Sequence, residues 1–430
     1  MNKKTFIAVL FFCVLLVGAF FTLTQKRERG IERLSFANVE TSQVDKIVTS
    51  GKNAVEIVRS GDTWTTQGKR ADASAVKRLL ESVPKIESTD YVSRNSERYD
   101  EMEVDAEKGT HVQLYAKGQV VAEFTVGKSA PGGGVHVRQG EDVYLIKNIS
   151  SSIFSRDASG WFDRKLFDDK LEDVNKVTVH LAGVEPYDLV KEENKWKLSD
   201  PSVLPKDFRF DQDAASRLVS SLLSLRATEV VLDDPGAEKT GFADAHDVFH
   251  FYSKSGDPGQ KGTLELGHTE EQSVYAKVGG RGDLYKLAKG TADALRKKPT
   301  DLRSMSMVVV DQNKIDSLSI VGPKGKVVLE KKEGNWSVVS AAEKIPDDFQ
   351  LDKGAVTRRL SSFSSARGTD LVDEMSVTAA GLSRPSASIT ATLEDGSHVA
   401  LAFGREVDAD GRKLVYAQGN ADKAVYRVTT

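Results

Sequence analysis

The chain has 430 residues, of which 39% are apolar and 29% charged, with a formal net charge of −3. That length accommodates about three domains, and the composition suits ordinary packed cores rather than a disordered polyelectrolyte. Lys and Arg are spread along the whole length, which argues against the basic footprint of a nucleic-acid-binding protein. The lone cysteine, Cys13, excludes an intramolecular disulfide.

The first predicted element is a membrane anchor within residues 1–30. "TFIAVLFFCVLLVGAFFTLT", Thr5 to Thr24, carries no charge and is flanked by Lys3 and Lys4 before and by Lys26, Arg27 and Arg29 after. A helix of this length spans about 30 Å, the hydrocarbon thickness of a bilayer. A cleaved signal would have a shorter apolar core and a small-residue cleavage site; apolar residues continue past the one candidate, Val17 to Ala19. Lipid attachment at Cys13 would need a small preceding residue, and Phe12 stands there. Basic residues on the two sides nearly tie. The short leading tail favours a cytoplasmic N-terminus and an exported body, anchored once.

Beyond the anchor the chain reads as a threefold internal repeat. Three segments align on an aspartate: "DASAVKRLLESV" from Asp72, "DQDAASRLVSSL" from Asp211 and "DKGAVTRRLSSF" from Asp352. Four residues on come Val76, Ala215 and Val356; then Leu80, Val219 and Leu360; then Val83, Leu222 and Phe363. These positions share one helical face, which predicts an amphipathic helix in each copy, with the aspartate as its N-cap. Past the helix, Thr89, Thr228 and Thr369 each precede an acidic residue and a strand-like pair. Upstream, Trp64, Trp196 and Trp336 close three-stranded meanders of β-rich runs such as "KVTVHL" and "YDLVKE". Downstream, a strand is expected to end near Gly127, Gly267 and Gly404. A closing hairpin then places Tyr144, Tyr285 and Tyr426 in equivalent positions. The repeats are expected over 37–168, 169–302 and 303–430, with helical connectors around "SSIFSRDASGWFDRKL" and "GTADALRKKPTDL".

The second and third copies also share "LPKDFRFD", from Leu204, and "IPDDFQLD", from Ile345. Their carboxylates are weighed as acid pairs, but Asp211 and Asp352 fit helix caps, with Phe208 and Phe349 packed over the sheet. In chain order, "PGGGVHV" (Pro131 to Val137) lacks the lysine and helix of a phosphate loop and reads as a hairpin tip. "HDVFH" spaces His246 and His250 four apart, with His268 beyond. It lacks a metalloprotease pattern and reads as a strand with Val248 and Phe249 in the core. "RGD" (Arg281 to Asp283) falls in a hairpin turn, "LRKKP" (Leu295 to Pro299) in a connector, and the N-x-S patterns at Asn148 and Asn335 matter only in a eukaryotic secretory route. Nothing matches a nucleophile elbow or a dinucleotide fingerprint. No catalytic, cofactor-binding or metal residue is assigned.

The layout resembles a bacterial family described as domain of unknown function 4340. The resemblance rests on the lone N-terminal span, the "GNW"-type strand, "DKGAVTRRL", the step at Gly381-Leu382 (Gly241-Phe242 in the second copy) and "FG…VYAQ…VYRV". The first copy departs by lacking both the shared motif and a Gly-Leu step. Members of that family look like accessory proteins encoded beside ABC transporters of the gliding-motility type, and the family has no catalytic residues to carry over. The expected protein is therefore α+β: three tandem repeats, each an antiparallel β-sheet with one amphipathic helix, after an N-terminal transmembrane helix. It is expected to be a non-enzymatic periplasmic scaffold of an ABC-transporter-like assembly, held in the bacterial inner membrane, without a cofactor and without a nucleic-acid partner. The alternatives are a repeat protein that binds cell-envelope polymer, and an envelope hydrolase acting through aspartates around Asp207 or Asp347.

Overall fold

The computed structural model describes residues 33–88, 90–253, 260–346, 348–372, 374–409 and 411–429. The expected anchor, Thr5 to Thr24, lies outside the described residues, as do Thr89 and Asp347. Among the described residues no helix is long and apolar enough to cross a membrane. By internal contacts the chain divides into two units, Met1–Lys191 with Leu218–Arg296, and Glu192–Arg217 with Lys297–Thr430.

In the first unit a nine-stranded antiparallel sheet opens at one edge with Lys69–Arg70, Thr63–Thr66, Val55–Ser60 and Lys46–Gly51. It continues with Thr110–Ala116, Gln119–Ser129, Val135–Gln139 and Asp142–Ile146, and ends on the short strand Tyr91–Ser93. The meander on Trp64 thus forms one edge, and the segment that follows the helix returns to the other. The helix Ala73–Ser82 crosses one face between them. Its aspartate cap is real: the Asp72 carboxylate accepts the Ser74 and Ala75 N–H groups at 2.9 and 3.0 Å. Val76, Leu79, Leu80 and Val83 are buried in one cluster with Ile47, Ile57, Val112, Leu114 and Phe124. Each such side chain stabilises the fold by about 1.5–3 kcal/mol.

The same unit holds most of a second antiparallel sheet. After the edge strand Lys195–Leu198, its strands run in the order Tyr187–Glu192, Val174–His180, Asp247–Ser253, Gln260–Glu270, Ser273–Val278, Leu284–Ala288 and Glu229–Val231. The second unit carries a third sheet: Asn335–Ala341, Gly325–Lys332, Ile315–Gly322, Ala387–Leu393, His398–Ala409, Arg412–Gln418, Val425–Thr429 and Asp370–Val372. Here the helix Lys353–Ser364 buries Val356, Leu360 and Phe363, and the Asp352 carboxylate accepts the Gly354 N–H at 2.7 Å. The helix Gln212–Leu223 runs through the boundary between the units. Its Ala215, Val219 and Leu222 are buried, and the Asp211 carboxylate accepts the Ala214 N–H at 2.9 Å. Tyr144, Tyr285 and Tyr426 are all buried on the last hairpin strand of their sheets. The class is α+β, dominated by antiparallel sheet.

Several expectations need correction. The strands do not end at Gly127, Gly267 and Gly404; they run through them, as Gln119–Ser129, Gln260–Glu270 and His398–Ala409, with a register shift at each glycine. The reason is steric. A Cβ at these positions would collide with the carbonyl oxygens of Met102, Thr240 and Ala380, which cross over the bulge. Those carbonyls precede a left-handed residue: Gly241 and Gly381, as the step suggested, but Glu103 (φ +54) in the first sheet. The first sheet therefore has the step without the glycine. Phe349 is 49% exposed, while Phe208 is half-buried. In "HDVFH" the core residues are Phe249 and Phe251, and Val248 faces the other side with His250. The first connector contains only single 3-10 turns, Ser151–Ile153 and Ala158–Trp161, whereas the second includes the helix Lys289–Leu295.

Candidate functional site

Each unit contains a seam in which an extended connector is sewn between a segment that precedes a helix and a segment that follows one. In the first unit, residue 71, just ahead of the Asp72 cap, forms an antiparallel bridge to Phe162. The Asp72 N–H donates to the Trp161 carbonyl at 2.8 Å, and the Asp163 N–H donates to the Arg70 carbonyl at 2.9 Å. Three residues on, Lys165 bridges Arg226: the Leu166 N–H donates to Leu225 O at 3.1 Å and the Ala227 N–H to Arg164 O at 2.7 Å. The second unit repeats this pattern with other side chains. Phe210 bridges Arg303, the Asp211 N–H donates to Leu302 O at 2.8 Å, and the Ser304 N–H donates to Arg209 O at 2.7 Å. Ser306 then bridges Arg367, with the Met307 N–H on Ala366 O and the Gly368 N–H on Met305 O, both at 2.8 Å. For the first helix, the strand Leu34–Ser35 takes the later half of this role by pairing with Glu87–Ser88, and Arg33 pairs with Glu87.

Apolar anchors and charges reinforce the seams. Trp161, fully buried, joins the cluster of Trp64, Ala71 and the first helix, and Leu302 and Met307 are likewise buried. In the first unit Arg70 reaches Asp163 at 3.2 Å, Lys69 reaches Asp283 at 3.5 Å, and Arg281 donates to the Lys165 carbonyl at 2.9 Å. In the second unit Arg209 donates to Asp422 at 2.9 Å, to the Tyr426 hydroxyl at 3.0 Å and to the Ser306 carbonyl at 2.6 Å. Asp211 is a cap and a seam residue at once, since Arg367 donates to its second oxygen at 2.7 Å. Burial would raise the Asp211 pKa, but the Ala214 N–H and the guanidinium groups of Arg367 and Arg217 outweigh it and hold it below the usual aspartate value. Asp422 follows the same logic: burial pushes it up, and the Tyr426 hydroxyl, the Ala424 N–H and Arg209 bring it down.

The chemistry-bearing residues singled out in the sequence are dispersed. The His246 Nδ1 donates to the Asp244 carbonyl at 2.8 Å, and its Nε2 lies 2.9 Å from the Glu265 carboxylate. His250 pairs with Thr263 at 3.1 Å and lies edge-on to His180. Burial, with the nearby His180, holds the His250 pKa below the ordinary imidazole value. Among the described residues no group of three or more His, Cys, Asp or Glu side chains is placed to hold a metal ion. The Arg-Gly-Asp turn is absorbed by the first seam through Arg281 and Asp283. In "LRKKP", Arg296 is bound to Asp247 at 2.7 Å and Asp293 at 3.0 Å. Gly133 and Gly134 turn the hairpin tip with φ of +89 and +91. Asp207 sits exposed at a left-handed turn (φ +64). A hollow of about 650 Å³ lies between Arg33, Lys85, Glu87 and Lys147, in which Arg33 pairs with Glu87 and Lys147 with Asp90.

One surface stands apart. "LPKDFRFD" and "IPDDFQLD" form the same turn, with Phe208 N–H on Pro205 O and Phe349 N–H on Pro346 O, both at 3.1 Å. Around the first copy the seam closes, and the Arg303 guanidinium lies over the Phe208 ring at 5.5 Å. Around the second, among the described residues, no bridge or backbone bond is made to Gln350, Leu351 or the Asp352 N–H. Instead Phe349 lines an apolar groove of about 310 Å³ with Val327, Val338, Ala341, Ile345 and Pro346. Leu351, Trp336 and Val338 are only half-buried at the margin of the core. Arg209, Arg303, Arg367 and Asp422, which build the closed seam, were not singled out in the sequence. The one available signal was that Arg70 and Arg209 both stand two residues before their caps, whereas Gln350 stands two before Asp352.

No curated protein and no solved structure matches the chain. A family model described as "Domain of unknown function (DUF4340)" matches it twice, over residues 64–244 and 203–385, each match beginning close to a meander tryptophan or the motif that follows one. Together these matches cover most of the 430 residues, and the chain belongs to the DUF4340 family.

Proposed function

We propose that this chain is a non-enzymatic scaffold of three tandem α+β modules, 37–168, 169–302 and 303–430, carried on an N-terminal membrane anchor. Its body lies in the periplasm, where it holds subunits of an ABC-transporter-like assembly of the gliding-motility type. The observation that carries this reading is the recurrence of one seam in both units. The same backbone pairing joins successive modules through connectors whose side chains differ, as Phe162 and Arg303 do. A chain that conserves its own joining geometry while changing the side chains is built to present sheets, and antiparallel sheets recruit partners through strands and edges. The test is mild cross-linking in native membranes, followed by purification of the full-length protein and identification of its companions. Co-recovery of transporter membrane and ATPase subunits is the expected result. Recovery of envelope polymer without those subunits would replace the scaffold with a polymer-binding protein. Protease added to intact spheroplasts should digest the body, and a protected body would overturn its periplasmic placement.

A further inference from the structure

We infer that the groove lined by Phe349, together with the segment Gln350 to Asp352 that follows it in the chain, is a docking site for an extended strand of a different polypeptide, which closes the third module as the connectors close the others. This inference rests on the modular reading above. Two of the three pre-helix segments are covered by a connector that supplies the same two backbone contacts, and in the second a stacked side chain as well. Its bulky apolar residue (Trp161 or Leu302) is buried and offers its carbonyl to the cap N–H. Its residue two positions later donates an N–H to the carbonyl of Arg70 or Arg209. In the second connector the residue in between, Arg303, stacks its guanidinium on Phe208, where the first has Phe162. The third segment presents the matching half: the Asp352 N–H, the Gln350 carbonyl, the exposed Phe349 ring, and Trp336, Val338 and Leu351 left half-buried. The occupant is therefore an antiparallel strand with a large apolar residue followed by arginine. It adds two backbone hydrogen bonds and covers apolar surface. A second copy of this chain does not suit the site, because Trp161 and Leu302 are already buried in their own seams.

The test uses the full chain in detergent and a fluorescein-labelled peptide copying residues 300–306, TDLRSMS. Saturable binding is expected, weakened about tenfold or more by Leu351→Asp in the protein and by an aspartate in place of the peptide's leucine. Phe349→Arg, at an exposed position, should weaken binding without altering the circular dichroism spectrum, which guards against a folding defect in Leu351→Asp. Absent saturable binding, or equal affinity for wild type and both variants, overturns the proposal. So does concentration-dependent dimerisation that Leu351→Asp abolishes, since that would make a second copy the occupant. The outcome is separable from the scaffold reading. Peptide binding with no transporter subunit recovered sinks the scaffold alone, whereas subunits recovered while the peptide fails to bind sink the groove alone.

Discussion

A single methyl group is enough to break the middle of a long strand in this fold. At Gly404 the chain passes so close to Ala380 that a Cβ would run into its carbonyl oxygen. Neither partner can give way, because the Arg405 N–H also donates to Ala380 O at 3.0 Å. Gly404→Ala is therefore expected to destabilise the protein by about 1–3 kcal/mol, read as a lower midpoint in urea denaturation. Gly290 is the contrasting case: it is exposed in the helix Lys289–Leu295, with open space where a Cβ would stand. Gly290→Ala should stabilise by about 0.5–1 kcal/mol, because alanine restricts the unfolded chain and suits a helix. The sequence marked Gly404 as special but for the wrong reason. Glycine near a strand reads as its end, and the carbonyl that crosses the bulge comes from more than twenty residues upstream.

At the scale of elements, periodicity was legible and pairing across the seam was not. Val76, Leu80 and Val83, with their counterparts in the other two helices, lie on one face whatever their neighbours do, so spacing alone predicted their burial. The connectors have no such internal signature. They are fixed by backbone bonds to segments lying far off in the chain on either side, between side chains as unlike as Ala71 with Phe162 and Phe210 with Arg303. Trp161 shows what a connector contributes. It is fully buried in the core of the first sheet and helix, so Trp161→Ala should cost about 3–5 kcal/mol. Trp336, half-buried at the edge of the third sheet, should cost less when replaced by alanine. Thermal melts of the two variants side by side decide this. An equal loss would mean that Trp336 is covered in solution.

For the whole molecule, stability must depend on pH in two separable steps, because two kinds of group are held away from their ordinary pKa values. His250, half-buried beside His180 and Thr263 with Glu265 opposing, is held below the usual imidazole value of about 6.5. The folded state thus favours its neutral form, so its contribution is complete above about pH 6.5 and is lost as pH falls toward the folded value. Asp211 and Asp422 are held below the usual aspartate value of about 4 by the guanidinium, hydroxyl and backbone donors around them. Their contribution is complete above about pH 4 and is lost only as pH falls through their lower folded values. Other carboxylates, such as Asp188, are depressed as well, so differences between variants are the informative quantity. The melting temperature of His250→Gln should fall less than that of wild type between pH 7 and about pH 5. Asp211→Asn with Asp422→Asn should lie well below wild type at pH 7, by about 1.5–3 kcal/mol for each charged hydrogen bond weakened, and the two should converge as pH drops below about 4. Parallel curves for the aspartate variant and wild type down to acid would show that the second seam is held by its backbone bonds and by Leu302 and Met307, with its charges incidental.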